Sequence, residues 1–225
     1  MRRTLVSALV LTVAATLSGC AEEPGPELPV SNVVVEDDDG MHGVVLPDPY
    51  DVSAVPLTAT DGSTYSLATD ARDPLTLVFF GYTRCPDICQ VVMADIASAL
   101  TRLDDDERAQ VGMQFVTTDP GRDDEATLRS YLDRFDPAFG GLTGPLSRIV
   151  DAGLALGVPV EKGRTLPSGG YEVEHGTQVV GVLPDGTAPI VWTQGTSPEL
   201  LAEDIRIILD SGVPDLSEQQ GGGTQ

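Results

Sequence analysis

The sequence predicts an α/β domain, a mixed sheet covered by helices on both faces. Three observations carry that expectation. Leu75–Tyr82, LTLVFFGY, is a continuous β-branched and aromatic run, as a strand buried on both faces requires. Directly after it, Ile88, Val92, Ile96, Ala99, Leu100 and Leu103 fall on one helical stripe. Strand and helix patterns then alternate to about residue 209.

The elements follow in order. Val55 to Leu67 holds Asp61-Gly62 between two short apolar runs, a hairpin signature. After the strand Leu75–Tyr82, a helix is expected from Pro86 to Leu103. Proline suits its first position, where the missing N–H is no loss. Val111–Thr117 reads as a second buried strand. Asp123–Phe135 reads as an amphipathic helix with acidic residues in its first turn, which suits the helix dipole. Phe139–Thr143 is a short extended piece and Pro145–Leu156 a third helix. Val173–Leu183 and Pro189–Thr193 are strands around the turn Pro184-Asp185-Gly186-Thr187. Ser197-Pro198-Glu199 opens a last helix to about Leu209, stopped near Gly212 and Pro214. The expected order is ββαβαβαββα, a hairpin extension ahead of alternating units.

Loose ends flank this domain. Residues 1–19 read as an export signal: Arg2 and Arg3, then an uncharged stretch from Leu5 to Leu17 too short for a permanent span. Leu17-Ser18-Gly19-Cys20 resembles a bacterial lipobox, so Cys20 is expected to carry a diacylglycerol and to anchor the protein to the outer face of the cytoplasmic membrane. Residues 20–43, rich in Pro, Glu, Asp and Gly, read as a flexible acidic tether, with His42 solvated in it. The domain proper is expected over 44–213, and 214–225, ending in SEQQGGGTQ, as a disordered tail.

Charge narrows the function. Acidic residues number 35 against 13 basic ones, for a net charge of −22 over 225 residues, and Lys162 is the only lysine. Nucleic-acid binding and docking on anionic lipid through a polybasic patch both need the opposite sign. Three cysteines and two histidines exclude a disulfide-stapled miniature fold and a multi-zinc protein.

With Cys20 assigned to lipid, Cys85 and Cys89 remain as a pair at a strand–helix junction, in a compartment where thiols can be oxidised. Side chains four apart on a helix are neighbours, so the two sulfurs could share a metal ion or close a disulfide. Haem attachment needs C-x-x-C-H, and the thioredoxin motif is one residue shorter. A four-ligand zinc site lacks donors, and a purely structural disulfide would close too small a loop to stabilise much. His175 is the strongest candidate for a third ligand, at the start of a late strand that can lie beside the one leading to the cysteines. Two thiolates and an imidazole suit copper above all, and zinc also fits. Met93, four residues after Cys89, reads as core filler rather than a fourth ligand.

Gly81-Tyr82-Thr83-Arg84-Cys85-Pro86-Asp87-Ile88-Cys89 resembles the G-Y-T-x-C-P-D-x-C signature of the Sco/SenC proteins. Asp119-Pro120-Gly121-Arg122-Asp123 resembles their D-P-x-R-D loop, and Asp136 to Gly144 their D-P-x-F-x-G-L-T-G segment. Glu174-His175-Gly176-Thr177 falls where they have a D-H-S/T histidine. The resemblance covers roughly residues 43–211. Departures are Gln90 for a common proline, Glu174 for aspartate and Gly176 for a hydroxyl residue; none removes a ligand.

The resemblance implies a thioredoxin-like fold and a metallochaperone. It implies one copper ion per domain, Cu(I) or Cu(II), on Cys85, Cys89 and His175, delivered to the CuA centre of cytochrome c oxidase subunit II. Asp119 becomes a candidate carboxylate behind the ligands, its alternative being a cap for the following helix. The competing function is a thiol–disulfide oxidoreductase that keeps acceptor cysteines reduced through Cys85 and Cys89. Peroxidase chemistry on the same fold is a weaker third.

Overall fold

The computed structural model describes residues 40–165, 171–214 and 216. The signal segment, Cys20, the tether up to residue 39 and the tail from residue 217 lie outside the described residues. The chain runs β1 (Val44–Asp51), β2 (Leu57–Ala59), β3 (Thr64–Tyr65), α1 (Leu67–Asp70), β4 (Leu75–Gly81), α2 (Ile88–Leu100), α3 (Asp105–Arg108) and β5 (Val111–Thr117). It continues α4 (Glu125–Leu132), β6 (Gly140–Thr143), α5 (Leu146–Ala155), β7 (Val160–Thr165), β8 (Tyr171–His175), β9 (Val179–Val182), β10 (Thr187–Trp192) and α6 (Pro198–Ser211).

The predicted mixed sheet with helices on both faces is what forms. Eight strands lie in the order β1-β10-β9-β4-β5-β6-β2-β3. β4 pairs in parallel with β5, and β5 with β6; the other neighbours are antiparallel. All seven residues of β4 are buried, as expected of a strand at the sheet's centre. Its side chains alternate between two cores. Leu75, Leu77 and Phe79 face a cluster built with α2, α4 and α6, through residues such as Ile96, Leu132 and Ile205. Val78 and Phe80 face a second cluster that includes Ile149 and Ala152 of α5 and Leu67 of α1.

Gly153 lets α5 sit close to the strand that follows. A Cβ there would lie 2.5 Å from the Val158 carbonyl oxygen and 3.0 Å from Val160 Cγ2. The carbonyl is backbone and cannot swing aside. Gly153→Ala is therefore expected to destabilise the domain by about 1–2 kcal/mol in urea unfolding, despite alanine's better helix propensity.

Several expectations are corrected. β1 was not anticipated, because Pro47 and Pro49 break its pattern; its pairing with β10 shifts register between Val45 and Tyr50. Residues 41–43, expected in the tether, contact the domain. Met41 packs on the core, and the N–H groups of His42 and Gly43 both donate to the Asp204 carboxylate. His42 is not simply solvated, since its Nε2 lies 3.2 Å from Glu203 Oε2. α2 begins at Ile88 behind the N-cap Asp87, so Pro86 is outside the helix. Val173–Leu183 is not one strand: β8 pairs with β7 in a separate two-stranded ribbon, and β9 alone enters the main sheet. α1 and α3, four residues each, had no periodicity to reveal them.

Candidate metal centre

The site starts where β4 leaves the sheet. Cys85 donates its N–H to the Tyr82 carbonyl at 3.1 Å, folding residues 82–85 into a turn. Cys85 and Cys89 are both buried and both carry thiols. Cys85 precedes α2 and Cys89 lies in its first turn. The N-cap Asp87 makes no side-chain cap bond. Cys85 Sγ instead accepts the N–H of Cys89 at 3.5 Å. A sulfur thus occupies the positive end of the helix, a place that favours thiolate. The Cys89 thiol is pushed well above its ordinary range, first by its hydrogen bond to Cys85 and then by burial.

Glycine at position 81 makes room for this pair. A Cβ there would lie 3.1 Å from Cys89 Sγ and 3.0 Å from the Phe79 and Phe115 rings. The Tyr82 hydroxyl is pushed up to about 12, by burial first and then by the two cysteines. It remains a neutral donor beside them.

The parallel pairing of β4 with β5 brings a second loop to the same end, with Thr117 in register with Gly81. Thr118 donates its N–H to the Gly81 carbonyl at 2.7 Å. Asp119 is fully buried, and its carboxylate pairs with the Arg122 guanidinium. Asp123, also fully buried, accepts from Thr83 N at 2.9 Å, Thr83 Oγ1 at 2.6 Å and Thr117 Oγ1 at 2.7 Å. Sequence reasoning missed this role: it read Asp123 as an acid in a helical first turn and as the last residue of the D-P-x-R-D resemblance, and gave it no partner. The helix starts later: Asp124 is the N-cap of α4, its side chain accepting from Thr127 N. A second aspartate directly before a good cap was the available signal.

His175 ends β8, its Cα opposite that of Val160; its side chain lies outside the described residues. Four residues later Val179 pairs with Phe79, and β9 runs antiparallel to β4. The chain therefore enters β9 at the sheet end where β4 hands over to the cysteine loop. The connector is held there by Gln178 Nε2, which donates to the Gly157 carbonyl at 3.0 Å. Met93 is fully buried in the core beneath α2, as a filler would be. Among the described residues no group of three or more His, Cys, Asp and Glu side chains could hold a metal ion; those residues supply two neighbouring sulfurs. Among them too, no helix is long and apolar enough to cross a membrane.

Comparison with known proteins extends this picture. The SCO1/SenC family model matches residues 54–210. A protein of Stutzerimonas stutzeri, named as a candidate copper-binding protein, is 29% identical over 187 residues, 83% of this chain and 84% of that one. The mitochondrial SCO2 homolog of Danio rerio is 34% identical over 131 residues, 58% of this chain and 47% of its own. The chain thus spans about half the length of that mitochondrial relative. The structure of Bradyrhizobium japonicum ScoI with copper bound superposes with a TM-score of 0.60 at 28% identity, covering 72% of this chain and 98% of that one.

Proposed function

Because the chain belongs to the SCO1/SenC family and has its thioredoxin-like fold, we propose that it is an extracytoplasmic copper carrier, loaded through Cys85, Cys89 and His175. The observation that carries this reading is the buried thiol pair at the start of α2, at the sheet end where β9 begins, four residues after His175. Thiolates select Cu(I), and an imidazole also accommodates Cu(II). The names of the S. stutzeri and B. japonicum proteins support copper as the cargo. One ion per domain goes to the CuA centre of cytochrome c oxidase subunit II. Lipid on Cys20 keeps the carrier near a membrane-bound acceptor. Asp119, buried and tied to Arg122, serves in this reading as the carboxylate behind the ligands.

Three donors leave a coordination position open. An acceptor thiolate enters there, one donor of the carrier leaves, and the ion passes without being released to water. The hydrogen bond between the cysteines favours one further reading: the pair also reduces an acceptor disulfide. One thiolate attacks to form a mixed disulfide. Its neighbour then closes the Cys85–Cys89 bond and releases the acceptor's two thiols, so two electrons leave the pair.

A distant imidazole separates the two activities. Full-length protein is reduced anaerobically and titrated with Cu(I) against a chromophoric chelator. His175→Ala is expected to weaken copper binding at least tenfold while the thiols exchange with a disulfide at the wild-type rate. Wild-type stoichiometry near zero removes the carrier function.

A further inference from the structure

We infer that Asp123 is a positioning residue for the metal-binding loop, clamping Thr83 so that Cys85 is held against the start of α2; the consequence for copper rests on the carrier reading above. Three donors converge on one fully buried carboxylate. Two come from Thr83, its N–H at 2.9 Å and its hydroxyl at 2.6 Å, and the third is the Thr117 hydroxyl at 2.7 Å. Thr83 is two residues before Cys85, inside the turn closed by the Cys85 N–H on the Tyr82 carbonyl.

The clamp is itself fixed. The Asp123 N–H donates to the Asp119 carbonyl at 3.0 Å, and its carbonyl accepts the Thr143 hydroxyl at 3.1 Å. Asp123 therefore ties together the ends of β4, β5 and β6. Its side chain is not used to cap α4, since Asp124 does that. A carboxylate with two acceptor oxygens takes both Thr83 donors at once. An asparagine would present an amide N–H to one of the three donors and lose that bond. A loop freed at Thr83 holds Cys85 in less defined positions, and each metal bond then has to be formed from a wider set of geometries.

The test uses the full chain under anaerobic conditions, with three readouts: Cu(I) affinity by chelator competition, iodoacetamide alkylation of Cys85 in metal-free protein read by mass spectrometry, and thermal unfolding. Asp123→Asn and Thr83→Val are expected to weaken copper about 10–100-fold and to speed Cys85 alkylation at least threefold. Thr83→Ser, which keeps both donors, is expected to stay within twofold of wild type on both. Gly153→Ala, destabilised on the opposite face, is expected to keep wild-type affinity and alkylation. Wild-type values in Thr83→Val, or an equal change in Gly153→Ala, overturn the inference. Should Asp123→Asn fail to fold, the Thr83 pair decides. A wild-type protein that binds no copper sinks the carrier reading alone, and the alkylation comparison still judges the clamp.

Discussion

Cys89→Ala is expected to lower Cu(I) affinity on the order of 10³-fold. A structural metal site is worth about 10–16 kcal/mol over four donors, so one thiolate carries about 3–4 kcal/mol. Cys89 is fully buried and its sulfur packs beside Gly81, so the alanine variant leaves its place in the ligand set to no sulfur. Cys85→Ala should lose as much affinity. It should also cost about 1 kcal/mol of stability, because the Cys89 N–H then loses its acceptor at a helix start that Asp87 does not cap. Chelator competition measures the first effect and urea unfolding the second. An affinity within threefold of wild type for either alanine variant would remove that sulfur from the ligand set.

Asp204→Ala is expected to destabilise the domain by about 3–5 kcal/mol. The Asp204 carboxylate is fully buried on α6 and accepts from His42 N at 2.9 Å, Gly43 N at 2.7 Å and Trp192 Nε1 at 2.7 Å. Its removal leaves these donors without an acceptor, at about 1–3 kcal/mol for each buried one. Gly43 cannot shift to compensate, because its α-carbon already approaches the indole so closely that a Cβ would lie 2.6 Å from Trp192 Nε1. Denaturant unfolding should show the midpoint falling with the slope unchanged. A loss below 1 kcal/mol would mean that water replaces the carboxylate.

Sequence patterns carried the centre of the fold because its signals are local. The run from Leu75 and the stripe from Ile88 announce burial by periodicity alone, and β4 and α2 lie where they point. β1 was invisible because two prolines hide a strand whose partner is more than a hundred residues away. The β7–β8 ribbon was missed because β8 runs into β9 through only three residues, so two elements read as one. The same applies to the site. Cys85 and Cys89 are separated by a fixed, readable spacing. Asp123 acts across 40 residues on Thr83, through a contact that exists only once β4 and β5 pair. Asp204 acts across 162 on His42, and no spacing rule reaches that far.

The outermost strands of the sheet have one more effect. β1 carries Pro47 and Pro49 and an irregular register, and β3 at the opposite border is two residues long. Among the described residues, neither border of this sheet offers a continuous ladder of unsatisfied N–H and C=O groups onto which a strand from another molecule could be added. Molecules crowded side by side would therefore not extend one another's main sheet through these margins, and the net charge of −22 adds mutual repulsion to that protection.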